Sequence, residues 1–534
     1  MDTLLARIAE KTDELPEDDL ETLATDIERA IWRRDEATVL RIFQHRPRRL
    51  VLGALNHLSV DGESPVHAAA LHGEANLLRL MIEFGAGVNG VNKYGWTPLH
   101  SAASGNEIQT ANMLLQHGAN IHATDRHGDS ALHWSAENGN PGLSQLLIEE
   151  GALVNQMNKI GVGETPLTKA AQNNKIPTAM LLIMLGSEVN WNKGKPAIHA
   201  AAKQGHTLMV NMLLDHRVKV NLKDGDGNTA LHMAAVGDHT ATAKLLIERG
   251  ARINDKNKAG QTPLHYAALE NSVQTTKMLL LKNADFTIPN YIGELALHNA
   301  AYMGNVDILR MLMDKGSNID AITNCDKSPL ILASQTEHSL GCSVLMQRGA
   351  DVNINDQYCF TPLHFAAWRG SFKVVRELLD KGAKANILGM TVLGEYSTPL
   401  HIAAEHDHCD VVKLLITRGA EPDQRGSFGK TPLHAAVAKN SVESAAILLN
   451  AGANIDLKDT NGCTSLHIAV MQNHLEMTKL LLERDCDTSC KNRKQKAASE
   501  LCKSDEMRAL FSNIGLFPIL FTFLVLIYTA TGAQ

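Results

Sequence analysis

The sequence predicts an all-α fold, a solenoid of stacked helix-turn-helix units with β-turn fingers. A seven-residue phrase, Thr-Pro-Leu-His-Phe-Ala-Ala at residues 361–367, returns along the 534-residue chain. Most copies lie 33 residues apart, and a fixed period of this size is typical of a stacked repeat array. The composition agrees, because 44% of the residues are hydrophobic and only 4% are aromatic, which suits closely spaced Ala- and Leu-rich helices. The thirteen copies begin at Ser64, Thr97, Ser130, Thr165, Pro196, Thr229, Thr262, Leu295, Ser328, Thr361, Thr398, Thr431 and Thr464.

Each repeat contains a turn, two helices and a residue that ends the second helix, as residues 94–118 illustrate. Gly95 allows the positive φ that the tip of a β-turn needs. Thr97 is suited to cap the first helix, and Pro98 falls in its first turn, where a missing N–H costs nothing. Alanines at 102 and 103 let neighbouring helices approach, and apolar residues at 113–115 mark the second helix. Gly118 predicts a left-handed end to that helix.

A 33-residue period that carries Thr-Pro-Leu-His-x-Ala-Ala resembles the ankyrin repeat, over about residues 59–512. The resemblance implies that the histidine of the phrase is structural, with its ring hydrogen-bonded to turn backbone and to the Thr hydroxyl. Eleven of the 24 histidines occupy this slot: His67, His100, His133, His199, His232, His265, His298, His364, His401, His434 and His467.

The resemblance also implies a protein partner, because ankyrin proteins bind partners on a concave face made by turn tips and first helices. Aromatic and Arg residues are the usual hot spots of such interfaces. The candidate protein-binding residues in the slots that line this face are Tyr94, Trp96, Tyr302, Met303, Tyr358, Phe360, Trp368 and Arg369. The alternative is that some of them pack between neighbouring fingers. Phe365 and Trp134, just before the small-residue pair, are expected in the core.

The period also predicts the domain boundaries. Residues 1–58 have helical periodicity without the phrase and are expected to form an N-terminal helical cap, which an array needs because its end repeat has no neighbour. Residues 59–491 hold thirteen ankyrin repeats, and 492–513 are a degenerate capping repeat. The 37-residue step from Thr361 to Thr398 predicts an enlarged apolar finger at 387–394, and such insertions often lie on the binding face. The copies at positions 196, 295 and 328 depart from the phrase and are expected to have weaker caps.

Residues 514–534 predict a single C-terminal transmembrane helix. No charged residue occurs between Phe511 and Gln534, and about 20 apolar residues span the hydrocarbon core of a bilayer. Basic residues just upstream favour a cytosolic array, and the N-terminus lacks a signal peptide. We therefore expect a single-pass, C-terminal anchor at the cytoplasmic face of an intracellular membrane. Two alternatives stay open: an apolar helix folded over the last repeat, or a remnant of a larger membrane protein.

No sequence motif indicates catalysis. P-loop, nucleophile-elbow, kinase and HExxH motifs do not occur, so we expect no enzyme, no cofactor and no small-molecule substrate. The eight cysteines form no CxxC pair, which favours reduced thiols. His406, His408 and Cys409, like the cysteines between 486 and 502, lack a clear fourth metal ligand. The net charge of -7 argues against nucleic acid as the main partner.

These observations predict a non-enzymatic scaffold or adaptor that binds a protein partner and is anchored to a membrane. One alternative is the cytosolic portion of an ankyrin-rich transient receptor potential type cation channel, although a single apolar segment cannot form a six-helix protomer. Another is a soluble adaptor, although no C-terminal recruitment box is present.

Overall fold

The chain is described by a computed structural model that covers residues 17–58, 62–159, 161, 163–191, 193–336, 338–390 and 394–514. It divides into two compact units, Met1–Ala284 and Asp285–Gln534. In the described residues both units are stacks of helix pairs, and the second unit adds one two-stranded ribbon. The observed fold class is therefore the predicted all-helical repeat solenoid.

The first unit begins with three helices that precede the repeats: α1 (Glu17–Trp32), α2 (Glu36–His45) and α3 (Arg48–Asn56). Repeat helix pairs follow within the described residues: α4 (Pro65–Leu71) and α5 (Ala75–Phe84), α6 (Pro98–Gly105) and α7 (Ile108–Gln116), α8 (Ala131–Asn138) and α9 (Pro141–Glu149), α10 (Pro166–Gln172) and α11 (Ile176–Met184), α12 (Ala197–Lys203) and α13 (Thr207–Asp215), α14 (Ala230–Val236) and α15 (Thr240–Glu248), α16 (Pro263–Leu269) and α17 (Val273–Leu281).

The second unit continues the same pattern in its own stack. Its helices are α18 (Ala296–Met303) and α19 (Val306–Asp314), α20 (Pro329–Ser334) and α21 (Ser339–Gln347), α22 (Pro362–Arg369) and α23 (Phe372–Asp380), α24 (Pro399–Glu405) and α25 (Cys409–Thr417), α26 (Pro432–Ala438) and α27 (Val442–Asn450), α28 (Ser465–Met471) and α29 (Leu475–Glu483), and α30 (Asp505–Ile514). Short 3-10 turns occur at Ser427–Gly429 and Ala498–Leu501, and the ribbon consists of β1 (Gly389–Met390) and β2 (Tyr396–Ser397).

The core of each stack lies between successive first helices. In α6, Ala102 and Ala103 have no exposed surface, and Leu99 is also buried. Leu114 of the second helix packs beneath them and is buried as well. One repeat cannot cover this apolar side alone, so stacking supplies the hydrophobic burial that stabilises the fold.

Within each of the two units, a phrase histidine connects its own repeat to the next one. In α6, Nδ1 of His100 accepts a hydrogen bond from the Thr97 amide at 3.1 Å and lies 2.9 Å from the Thr97 hydroxyl. The opposite ring nitrogen, Nε2, donates to the Asp129 carbonyl at 3.1 Å, one repeat further on. The same arrangement recurs at Thr361, where Nε2 of His364 reaches the Ser397 carbonyl. The structural role predicted for these rings is confirmed.

The predicted weak caps differ among themselves. Pro196 has no amide hydrogen, and Nδ1 of His199 finds no hydrogen-bond partner among the described residues. At Leu295 the amide still donates to His298, but the slot has no hydroxyl. Ser328 accepts from the Ile331 amide at 3.3 Å, so its hydroxyl caps the helix without a ring. The loss of capping hydrogen bonds at the start of the first helix is therefore greatest at Pro196.

A second periodic residue, absent from the sequence-based analysis, shapes the fingers. An Asn or Asp five residues before the Thr position accepts hydrogen bonds from the amides two and four residues later, which closes the turn. The residues in this role are Asn92, Asp125, Asp224, Asn257, Asn290, Asp356, Asp459 and Asn492. Each finger is thus held rigidly relative to the helix that follows it.

The enlarged finger predicted at 387–394 is the antiparallel ribbon of the second unit. Gly389 pairs with Ser397, and Met390 pairs with Tyr396. The ribbon docks on the preceding finger, because the Met390 amide donates to the Tyr358 carbonyl at 2.7 Å. Residues 391–393 lie outside the described part of the chain.

Across the described ranges between 17 and 514, the helices are too short or too polar to cross a bilayer. The anchor predicted at 514–534 lies outside the described residues, except for Ile514, which ends α30.

Burial of the phrase histidines predicts acid sensitivity. Burial lowers the pKa of eight phrase histidines below the ordinary value of 6.5: His67, His100, His133, His199, His232, His364, His401 and His434. For His67, His232, His364 and His401 the pKa falls to about 4. The folded chain therefore binds fewer protons than the unfolded chain below pH 6.5. Each unit of difference between folded and unfolded pKa is worth about 1.4 kcal/mol.

We expect stability to be full above pH 6.5 and to fall steadily as the pH drops toward 4. Thermal unfolding followed by circular dichroism should show a lower midpoint at pH 5 than at pH 7. A midpoint that stays constant or rises over this interval would contradict the role assigned to the buried rings.

Candidate functional site

An open cavity of about 460 Å³ lies in the second unit beside the repeat copy at 361–367. It is bounded by the finger at 356–360, the ribbon β1–β2, and the helices α22 and α24. We call it the aromatic cavity. Its lining residues are Lys327, Asp356, Tyr358, Phe360, Phe365, Trp368, Met390, Ile402, Glu405 and His406.

The finger that carries Tyr358 and Phe360 is fixed by polar and steric contacts. Asp356 Oδ1 accepts from both of their amides at 2.9 Å. On the other side, the ribbon approaches so closely that a Cβ on Gly389 would lie 2.7 Å from the Phe360 ring. The Met390 amide adds its bond to the Tyr358 carbonyl. The two rings are therefore presented by a preorganised backbone.

Phe365 forms the floor of the aromatic cavity, and the expectation that it lies in the core is wrong. Its side chain is half-buried, with its ring centre 5.5 Å from that of Phe360. Trp134 occupies the same slot in another repeat and is also half-buried, so it too is not a core residue. The slot faces the space between successive fingers, where a neighbour covers only part of a large ring.

Trp368 provides the exposed wall, with 45% of its surface accessible. The Arg369 guanidinium lies over its ring, 4.9 Å from the centroid, and Arg369 Nε donates to the Gln335 carbonyl at 2.8 Å. On the far side, the His406 ring meets Trp368 edge-on at 6.4 Å. These contacts orient an indole that remains accessible.

Four polar groups complete the aromatic cavity. Asp356 is only 4% exposed, and burial raises the pKa of its carboxyl group. Burial also lowers the pKa of His406, which favours the neutral ring. The Lys327 ammonium lies 6.0 Å from the centre of the Phe365 ring, and Glu405 pairs with Lys439 at 3.4 Å. The walls are apolar, and the charges lie at the base and the rim.

A second cavity of about 340 Å³, the adjacent cavity, lies one repeat earlier in the same unit. It contains the predicted residue Tyr302, and Lys327 and Gln335 connect it to the aromatic cavity and to Arg369. Its lining residues are Ile292, Glu294, Tyr302, Thr323, Cys325, Lys327, Leu332 and Gln335. Five predicted residues therefore share one continuous surface: Tyr302, Tyr358, Phe360, Trp368 and Arg369.

The other three predicted residues lie elsewhere. Tyr94 and Trp96 belong to the first unit, where Trp96 packs edge-on against Trp134 at 4.5 Å and Tyr94 is exposed beside Lys93. Trp96 thus fits the alternative of packing between fingers. Met303 is exposed at the end of α18 and lines neither cavity.

Sequence reasoning missed Lys327, Asp356, Met390, Glu405 and His406 as members of this surface. Asp356 carries a usable signal, since an Asn or Asp recurs five residues before the Thr position. Met390 falls in the predicted enlarged finger. Lys327, Glu405 and His406 carry no periodic signal that distinguishes them.

The described residues contain no group of three or more His, Cys, Asp or Glu side chains arranged to hold a metal ion. The rings of His406 and His408 stack with their centroids 6.0 Å apart, but His408 Nε2 already donates a hydrogen bond to the Trp368 carbonyl. In chemical terms the surface offers aromatic faces and the buried carboxylate of Asp356.

The fold and this surface define the class: a helical repeat protein that displays side chains on fingers and first helices. Family comparison then identifies the family. The model described as "Ankyrin repeats (3 copies)" matches residues 30–125, 132–224, 198–290, 252–323, 297–389, 356–425 and 400–492. The chain belongs to the ankyrin repeat family.

Two similar proteins illustrate the relationship. The chain is 46% identical over 54 residues to an ankyrin repeat protein of fowlpox virus (strain NVSL); these residues are 10% of this chain and 8% of the length of that relative. The crystal structure of the human ASB11 ankyrin repeat domain is 29% identical, with 40% of this chain and 96% of that chain covered at a TM-score of 0.37. Ankyrin repeat arrays are typically protein-interaction modules rather than enzymes.

Proposed function

We propose that this chain is a non-enzymatic scaffold that captures a protein partner on the surface formed by the aromatic and adjacent cavities. The observation that carries the proposal is the grouping of Tyr358, Phe360, Phe365 and Trp368 around one open cavity. Accessible aromatic clusters of this kind are costly to leave in water and are typical of binding hot spots.

The dimensions of the surface favour a macromolecular partner. The two cavities share Lys327 and extend over successive repeats, so a ligand that fills both must be extended along the stack. A chain segment of a partner protein meets these requirements better than a compact metabolite does.

Replacement of the aromatic anchors tests this function. In the double variant Trp368→Ala with Tyr358→Ala, we expect partner capture to fall at least tenfold, because hot-spot truncations typically cost about 2 kcal/mol or more. The thermal midpoint should change little, because Trp368 is exposed and Tyr358 is only half-buried. Quantitative affinity capture from cells, read by mass spectrometry, gives the measurement.

Leu340→Ala provides the matched control. Leu340 is an exposed apolar residue of the same unit, with 63% of its surface accessible, and it lines neither cavity. If the double variant captures the same partners as efficiently as the Leu340→Ala control does, the aromatic cavity is not the binding surface. A large loss of thermal stability in the double variant would instead assign its anchors a structural role.

A finer part of the proposal is attachment to the cytoplasmic face of a membrane. The supporting observation is the uncharged, apolar run at 514–528, preceded by a basic stretch at 491–496. The scaffold would then hold its partner close to a bilayer.

Carbonate extraction of membranes tests this attachment. We expect the full chain to remain in the membrane pellet and a variant that ends at Asn513 to be released, since a spanning segment resists alkaline extraction. Recovery of the full chain in the soluble fraction would refute the membrane anchor but would not affect the protein-binding proposal.

A further inference from the structure

We propose that the partner inserts a cationic side chain, arginine or lysine, into the aromatic cavity, with its charged end at Asp356. This inference rests on the proposed function and specifies the chemistry of the partner. Three features of the cavity carry it: a carboxylate oxygen with no protein donor, aromatic faces that already hold cations, and a carboxylate without an ion-pair partner.

The unused oxygen belongs to Asp356. Its Oδ1 accepts from the amides of Tyr358 and Phe360, while no described residue donates to Oδ2. Asp356 is only 4% exposed and lines the cavity, yet its Oδ2 keeps contact with solvent there. Water supplies the donor until a ligand group replaces that water.

Other repeats with an aromatic residue in the Phe365 slot supply a polar contact internally. Trp134 Nε1 donates to Asp125 Oδ2 at 3.2 Å, and the Tyr266 hydroxyl lies 3.3 Å from Asn257 Nδ2. Phe365 has no polar atom, so the same slot opens onto a carboxylate with no donor. The donor in this repeat must come from outside, and a cationic donor makes the stronger, charge-assisted bond.

The aromatic faces of this cavity already attract cations. The Arg369 guanidinium lies over Trp368, and the Lys327 ammonium lies over Phe365. A ring face is negative relative to its edge, so a cation is stabilised there, more so when partly desolvated. The long apolar stem of an arginine or lysine would meanwhile bury against Tyr358 and Phe360.

Of the two carboxylates that line the cavity, only Asp356 has no ion-pair partner within 4 Å among the described residues, because Glu405 pairs with Lys439. Lys327 contributes one positive charge to the same lining. No carboxylate of the described residues lies within 4 Å of the Lys327 nitrogen, so this flexible side chain is free to swing out. We infer that Lys327 occupies part of the cation position until a partner displaces it.

Small probes measure the preference directly. The full chain in detergent would be titrated with the Nα-acetyl amides of arginine, lysine, leucine and glutamate, followed by saturation-transfer NMR. We expect the arginine and lysine probes to bind more tightly than the leucine probe, and the glutamate probe not to bind. Comparison of the two cationic probes shows which side chain the cavity prefers.

Two substitutions are expected to shift affinity for the cationic probes in opposite directions. Asp356→Asn keeps the Oδ1 acceptor and places at this position the residue found at Asn92, Asn257 and Asn290, so the finger should remain folded. It should weaken binding about tenfold, the size of one charge-assisted hydrogen bond. Lys327→Met should tighten binding several-fold, because the competing cation is gone.

Asp125→Asn is the matched control, since Trp134 already engages that carboxylate, and it should leave probe affinity unchanged. A glutamate probe that binds to the unchanged chain and fails to bind to Lys327→Met would overturn the proposal in favour of an anionic partner group. A preference for leucine would assign an apolar anchor, and binding of none of the probes would likewise refute a cation site. In each of these cases the Trp368 and Tyr358 capture experiment still decides separately whether the surface binds protein.

Discussion

Within each of the two units, the hydrogen bonds from phrase histidines to the carbonyl of the next finger are the interactions on which the rest of the structure depends. His364 illustrates the reason: one ring nitrogen satisfies the first turn of its own helix, and the other holds the β1–β2 finger in place. A neutral, buried ring achieves both only as the Nε2–H tautomer, and its neighbours enforce that tautomer. A finger held in this way is tied to the preceding helix as well as to its own, and the spacing of the repeats sets the spacing of the fingers.

On this framework, the candidate site arises from a few departures from the repeat. The insertion after Thr361 brings Gly389 against Phe360 and turns an ordinary gap between fingers into a cavity. Phe365 lacks the polar contact that Trp134 makes, so the Asp356 carboxylate faces the open cavity rather than a neighbouring side chain. Neither change disturbs the buried alanines or the hydrogen bonds of the phrase histidines. The side chains at the exposed ends of the repeat therefore vary while the stabilising contacts stay constant.

The periodic features could be predicted from sequence, and the contacts between neighbouring fingers could not. Thr97, His100 and Gly95 take their expected roles because each role is local or is repeated at a fixed distance. The exposure of Phe365 depends instead on how the finger of another repeat curls over it, and Trp96 meets Trp134 for the same reason. Tyr358, Phe360 and Trp368 were identifiable as accessible aromatics, whereas Lys327 and Glu405 join them only through the packing of three repeats.

Site-specific photo-crosslinking tests most directly the central claim that the flanks of the Thr361 copy bind a protein. A benzophenone amino acid would replace Tyr358 in one form of the full chain and Tyr94, an accessible aromatic of the first unit, in another. After irradiation in cells, a specific protein adduct is predicted at position 358 and not at position 94. Adducts of equal yield at both positions, or an adduct at 94 alone, would contradict the assignment of the binding surface to the aromatic cavity.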